Sequence, residues 1–280
     1  MSQMATPEVE HPLDPLTEEE IRTTTEILNQ EDDVTEEFGF YSYQPIEPSK
    51  KKMEEWSEDD PFERNIGVVL RNFTERETYE AVVSLDNREV EAWNHLQDAI
   101  PHIPDMDVRE AEQAIIENET FREAARKRGV ENFDNVIVDP WPVNASEFVP
   151  DGIEDLRLAR GLSWVGRDER DNAYSRPLEG IHAFIDLDEM EVVEVVDNGV
   201  IDENNPLPPE RADFRSDRVE TRDDREHLDV VQPEGVSWEV DGHKVEWQKW
   251  SLRVGWTDRE GLVIHDITYN DDGEERKILD

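Results

Sequence analysis

The stretch Trp238-Glu-Val-Asp-Gly-His-Lys-Val-Glu-Trp247, followed by Gln248-Lys249 and then Trp250-Ser-Leu-Arg-Val-Gly-Trp256, decides how the chain is read. Trp238 and Val240 alternate with polar residues, Asp241-Gly242 is a hairpin signal, and Val245 and Trp247 alternate after it. Trp250, Leu252, Val254 and Trp256 alternate in the opposite parity, which predicts a bulge or a break near Gln248–Lys249. Gly261–Tyr269 reads as a further strand, Asp271–Gly273 as a turn, and Lys277–Asp280 as the beginning of another strand. A domain closes its edges, and stopping inside a strand-rich region leaves one unpaired. The tail therefore reads as the part of a chain cut short.

Upstream the texture is mixed. Thr17 and Glu20 form a capping box, with Leu16 and Ile21 placed as its hydrophobic staple, so a helix starts there. Gln44 to Asp60 is acidic, carries prolines and reads as a loop. Ile66–Phe73 and Thr78–Leu85 are strand-like runs joined at Thr74–Glu77, and Val90–Leu96 is a third candidate strand. Pro101 and Pro104 mark a boundary. A helix near Asp107, with Glu110 as capping partner, and a second over Glu119–Arg128 stopped by Gly129 precede strands at Asn135–Val138, Leu156–Val165, Gly180–Leu187 and Val192–Val196. The expected fold class is α+β: one small module over residues 12–97, a second over 100–200, a linker over 201–229 and a strand-rich region over 230–280.

The 280 residues carry 72 acidic and 29 basic side chains, a net charge of −43, with only 35% apolar residues. Low hydrophobicity with high charge is also the mark of disorder. Eight tryptophans, nine phenylalanines and the strand alternation argue against it. Acidity spread over a folded chain, with only seven lysines among the 29 cations, reads as adaptation to strong salt. A phosphate backbone would be repelled, so nucleic acid is not an expected partner. No apolar run reaches membrane-spanning length, Met1–His11 lacks the character of a signal peptide, and cysteine is absent. The expectation is a cytoplasmic protein with no membrane partner.

Catalytic signatures are missing. The sequence has no G-x-G-x-x-G, phosphate loop, H-E-x-x-H or G-x-S-x-G. The seven histidines, His11, His95, His102, His182, His227, His243 and His265, are never spaced H-x-H, and each alone reads as a surface or core residue. Asp168–Asp171 and Asn270–Asp272 lack the glycine and glutamate of a calcium loop. Three aromatics stand out: Trp141 between Pro140 and Pro142, Tyr174 shortly before Pro177, and Trp250 on its amphipathic strand. Pattern alone favours packing roles for them.

Long motifs then carry a resemblance. Val245-Glu-Trp-Gln-Lys-Trp-Ser-Leu-Arg-Val-Gly-Trp256 and Arg259-Glu-Gly-Leu-Val-Ile-His-Asp-Ile267 strongly resemble the copper-containing amine oxidases at the start of their catalytic domain. His11-Pro-Leu-Asp-Pro-Leu-Thr17 looks like that family's opening helix. Asp139-Pro-Trp141 and Arg176-Pro-Leu-Glu-Gly180 look like landmarks of its second small domain. The resemblance is weakest around 45–60 and 200–228.

It implies two small α+β domains before a large β-sandwich domain, of which 230–280 would be the incomplete beginning. It implies oxidation of a small primary amine to an aldehyde with release of ammonia and hydrogen peroxide. The implied cofactors are copper on three histidines and a quinone made from a tyrosine in N-Y-[DE]. The implied partners are a second copy of the full-length enzyme and the missing catalytic domain, in the same or a separate chain. Neither H-x-H nor F-D-x-G-E occurs here, and Thr268-Tyr269-Asn270-Asp271 has the tyrosine and asparagine reversed. Catalytic and metal-ligating residues are accordingly expected to be none, with no cofactor in this chain alone. By position, Trp141 and Tyr174 resemble residues that line the substrate channel of an assembled enzyme. The expectation is the front ~40% of a family member, inactive by itself. The alternative is a stand-alone interaction module for a separately encoded chain.

Overall fold

A computed structural model describes residues 9–58, 60–143, 149–168, 171–200, 220 and 222–279. The chain divides into two compact units, Met1–Pro101 with Leu228–Asp280, and His102–His227. Among the described residues no helix is long and apolar enough to cross a membrane.

In the first unit, helix α1 (Glu18–Leu28) opens on the capping box: Thr17 Oγ1 accepts from Glu20 N–H, and Glu20 Oε2 accepts from Thr17 N–H at 2.8 Å. Strands β1 (Phe38–Pro45), β2 (Asn65–Asn72), β3 (Glu77–Ser84) and β4 (Glu89–Leu96) form an antiparallel sheet in sequence order. Alternation aims Ile66, Val68 and Leu70 of β2 and Ala81 and Val83 of β3 at one face, where they bury Ile27 and Leu28 of α1. Strand β1 went unread in the sequence. Its register shifts between Phe40 and Ser42, and the intervening Tyr41 is buried near Phe73, so its period of two is interrupted by a bulge. The loop expected over 44–60 contains a helix, α2 (Lys50–Glu55), because Ser49 Oγ caps the Lys52 N–H.

The same unit holds a five-stranded meander of β9 (Trp238–Asp241), β10 (Lys244–Trp247), β11 (Trp250–Thr257), β12 (Gly261–Asp271) and β13 (Glu274–Leu279). The parity change is a break. The chain reverses in the two residues Gln248-Lys249, with Gln248 at φ 58°, and Trp247 pairs with Trp250 across the turn.

In the second unit, helices α3 (Asp105–Glu117) and α4 (Glu119–Lys127) cover one face of the antiparallel sheet β5 (Val136–Pro142), β6 (Leu158–Val165), β7 (Ile181–Asp186) and β8 (Glu191–Asp197). Ala111, Ile115, Phe121 and Ala125 meet Val138, Ala159, Ala183 and Ile185 there. A Cβ at Gly161 would come within 2.8 Å of both Ile115 Cδ1 and Val138 Cγ1, so glycine sets how closely α3 approaches β6. The capping expected of Asp107 and Glu110 does not occur. The helix starts after Pro104 with no side-chain cap, and the Asp107 carboxylate accepts from the buried Arg157 at 2.7 Å. A buried guanidinium needs an acceptor more than the helix needs a cap. Helix α4 behaves as read, with Asn118 Oδ1 capping Phe121 N–H and Gly129 at φ 90° just past its end. The linker expected over 201–229 falls mostly outside the described residues, and those described within it have no regular structure.

Candidate functional site

Helices cover one face of the second unit's sheet, and the other face carries the two residues singled out for a channel wall. Strand β5 sends Val136 and Val138 into the core, so Ile137, Asp139 and Trp141 alternate to the opposite side. Pro140 donates nothing to a ladder, and β5 is an edge strand that tolerates it. Trp141 leaves 58% of its surface open to water.

Tyr174 reaches this face from a single 3-10 turn, Ala173–Ser175, anchored by the buried Ala173. Its hydroxyl donates to Asp139 Oδ1 at 3.2 Å, and its ring lies 5.0 Å from that of Trp164 on β6. It is 55% exposed. Partial desolvation, then the Asp139 carboxylate, raises the phenol's pKa and keeps it a neutral donor. Tyr174 and Trp141 thus flank one carboxylate, two aromatic surfaces and an acceptor on an exposed sheet face. Such a surface can hold an apolar group and orient a donor; among the described residues it presents no nucleophile and no paired acid and base.

The segment Arg176-Pro-Leu-Glu-Gly180 fixes that arrangement from behind. Val165 N–H donates to Arg176 O at 3.0 Å and Leu178 N–H to Ser163 O at 2.8 Å, which holds the segment against β6. Gly180 sits at φ 76°, which favours glycine, and a Cβ there would come to 3.1 Å from Gly199 O, a tighter contact than side chains ordinarily make. The Glu179 carbonyl accepts from Arg128 Nε at 2.7 Å, and Arg128 also reaches Ala124 O, Asp197 and Gly199 O. Lys127 and Arg128 hold the Asp197 carboxyl down to about 2.

In the first unit, His11–Asp14 is a turn, closed by Asp14 N–H donating to His11 O at 3.0 Å, that leads through Pro15–Thr17 into α1 and is not itself the opening helix. Asp14 Oδ2 accepts from the Glu10 and His11 N–H groups at 3.1 and 3.0 Å, and Asp14 Oδ1 accepts from Arg253 of β11 at 3.0 Å. Arg64 donates to Glu20 at 2.6 Å and to the carbonyls of Pro12, Asp14 and Pro15. Burial, then the Arg253 charge, lowers the His11 pKa to about 4. The arginine of the strand-rich tail's motif therefore pins the opening segment.

Residues 17–93 match the AGAO-like N2 domain, 106–217 the copper amine oxidase N3 domain, and 239–280 the copper amine oxidase enzyme domain. The chain belongs to the copper amine oxidase family. A primary amine oxidase of Arthrobacter sp. (strain P1) is 35% identical over 274 residues, 97% of this chain and 41% of that protein. A peroxisomal N-methylputrescine oxidase 1 of Nicotiana tabacum is 36% identical over 197 residues, 67% of this chain and 24% of that one. A solved copper-containing benzylamine oxidase from Hansenula polymorpha superposes with a TM-score of 0.78 at 23% identity, covering 92% of this chain and 42% of that one. The α+β reading, with helices on antiparallel sheets, agrees with that fold. The chain spans less than half the length of these relatives.

The family implies copper and a quinone, and the donor set decides whether the described residues fit them. Among the described residues no three His, Asp or Glu side chains are grouped to hold a metal ion. Tyr269 packs its ring against Trp250 at 4.8 Å, with Lys249 over it at 5.6 Å. These residues do not fit the family's redox centre, and no step of its chemistry is assigned to them. Two participants escaped the sequence reading. Asp139 stood inside the quoted Asp139-Pro-Trp141, where alternation alone puts it on the face of Trp141. Trp164 gave no signal, because its contact with Tyr174 is tertiary.

Proposed function

We propose that this chain is the N-terminal portion of a copper- and quinone-dependent primary amine oxidase, which converts a primary amine, oxygen and water to an aldehyde, ammonia and hydrogen peroxide. The observation that carries this reading is the order of the three family matches, with the enzyme-domain match confined to 239–280. On this reading 12–97 and 100–200 are the two small domains, 201–229 the linker and 230–280 the beginning of the catalytic sandwich. The 280-residue chain is inactive alone and carries no cofactor of its own. Its place is cytoplasmic and in strong salt, in keeping with its acidity and its lack of cysteine. The rest of the catalytic domain, in the same or a separate chain, and a second copy of the enzyme complete the assembly.

Within that assembly Trp141 and Tyr174 wall the substrate channel. They contribute shape and contact and no proton transfer. Two exposed rings held beside one carboxylate support this role. Purified chain incubated with copper and a panel of primary amines should form no peroxide and no quinone absorption band; turnover at enzyme-like rates would refute the reading.

A second reading, a non-catalytic module that associates with a separately encoded chain, is favoured by the exposed Trp238, Val240, Trp247 and Trp256 of the C-terminal meander. In molar salt such a module is monodisperse and resists proteolysis throughout. Rapid loss of the last ~50 residues with survival of 1–200 selects the first reading, because sheet edges made for a covalent neighbour open easily.

A further inference from the structure

We propose that the cleft between α2 and the β1–β2 end of the first sheet binds an organic cation, an alkyl- or arylammonium ion with an apolar body. The cleft has a volume of about 840 Å³, within the range of small-molecule sites. Its apolar wall is Ile46, Met53, Trp56 and Phe62. These residues are fixed in place. Ile46 N–H donates to Asn65 O at 2.8 Å, continuing the β1–β2 ladder, while its side chain stays 46% exposed. Trp56 Nε1 donates to Asp60 O at 3.1 Å, and its ring stands edge-on to His11 at 4.6 Å and to Phe62 at 6.2 Å. The wall therefore exists before anything binds, and a ligand pays little to organise it.

Charge selects the occupant. Among the described residues, Glu47, Glu55, Asp60, Glu63 and Asp86 line the cleft against one lysine, Lys52, whose Nζ lies 3.9 Å from Glu63. Five to one is more lopsided than the 72 to 29 of the whole chain. An anion is repelled. A neutral apolar molecule gains only the wall. An ammonium ion gains the wall, the carboxylates and, where it meets a ring face, the attraction of an aromatic for a cation. The wall comes from Ile46, Met53, Trp56 and Phe62, all within the first unit. It lies in a different unit from Trp141 and Tyr174 and does not depend on their role.

The test titrates the full 280-residue chain by calorimetry, with 4-phenylbutylammonium and with 4-phenylbutan-1-ol, which has the same body without the charge. The ammonium ion should bind about tenfold tighter, and the gap should shrink as salt screens the rim. Glu55→Gln with Glu63→Gln, both exposed, should bring the ammonium ion's affinity close to the alcohol's. Ile46→Ser should weaken both ligands, and Met106→Ala, at an exposed apolar side chain of the other unit, should change neither. Equal affinity for the two ligands, no binding of either, full affinity in the double variant, or loss of binding in Met106→Ala would each overturn the proposal. None of these results bears on peroxide formation, so the failure of this site and the failure of the oxidase reading are separable.

Discussion

Replacing Asp197 by asparagine tests the electrostatics of the second unit most directly. Asp197 ends β8, where one oxygen accepts from Lys127 Nζ at 2.9 Å and the other from Arg128 at 2.8 Å. Its carboxyl is held at about 2, against an ordinary 3.8. At about 1.4 kcal/mol for each tenfold change in proton affinity, the difference amounts to about 2 kcal/mol in favour of the folded state. The leading contributor, Lys127, is 62% exposed, and salt screens that part. The Arg128 part persists, because that side chain is only 1% exposed. Asp197→Asn should therefore cost about 1–2 kcal/mol at neutral pH, the lower end in molar salt.

The pH dependence has a definite sign. A carboxyl whose folded pKa lies below its unfolded one stabilises the fold above the unfolded value, and this is lost as pH falls through the folded value. The gap between wild type and Asp197→Asn should close between pH 4 and about 2. Urea unfolding of the second unit, followed by its tryptophan fluorescence over that range, measures the gap. A gap that stays constant with pH, or that falls below about 0.5 kcal/mol at pH 7, would refute the reasoning.

Gly161→Ala should destabilise the second unit by about 1–3 kcal/mol, since the new methyl meets Ile115 and Val138 at 2.8 Å; thermal melting reads this out. Asp14→Ala leaves Arg253 without its carboxylate in a partly buried setting and should cost about 3 kcal/mol, seen as faster proteolysis of the opening segment. His11 is folded neutral with a pKa of about 4 against 6.5 unfolded, so stability is lost as pH falls from 6.5 towards 4. His11→Gln should flatten that slope in urea titrations. Trp141→Ala should leave the melting temperature of this chain unchanged, because its ring is largely exposed, and should alter KM for bulky amines once the chain is part of an assembled oxidase.

Local chemistry determined much of this protein. The capping box at Thr17, the glycine stop after α4, the hairpin at Asp241-Gly242 and the strand alternation of the tail are short-range effects, and a sequence displays them directly. The long motifs Trp247-Gln-Lys-Trp-Ser251 and Arg259-Glu-Gly-Leu262 gave the family for the same reason, since adjacent residues stay adjacent in any fold. Tertiary structure alone decided the rest. It pulled Asp107 away from its helix to serve Arg157, placed Arg253 on Asp14 across 239 residues of chain, bulged β1 at Tyr41, and brought Tyr174 onto Asp139 and Trp164. Each of those outcomes depends on a buried charge or an aromatic ring finding a partner distant in sequence, and no local pattern encodes which partner folding will deliver.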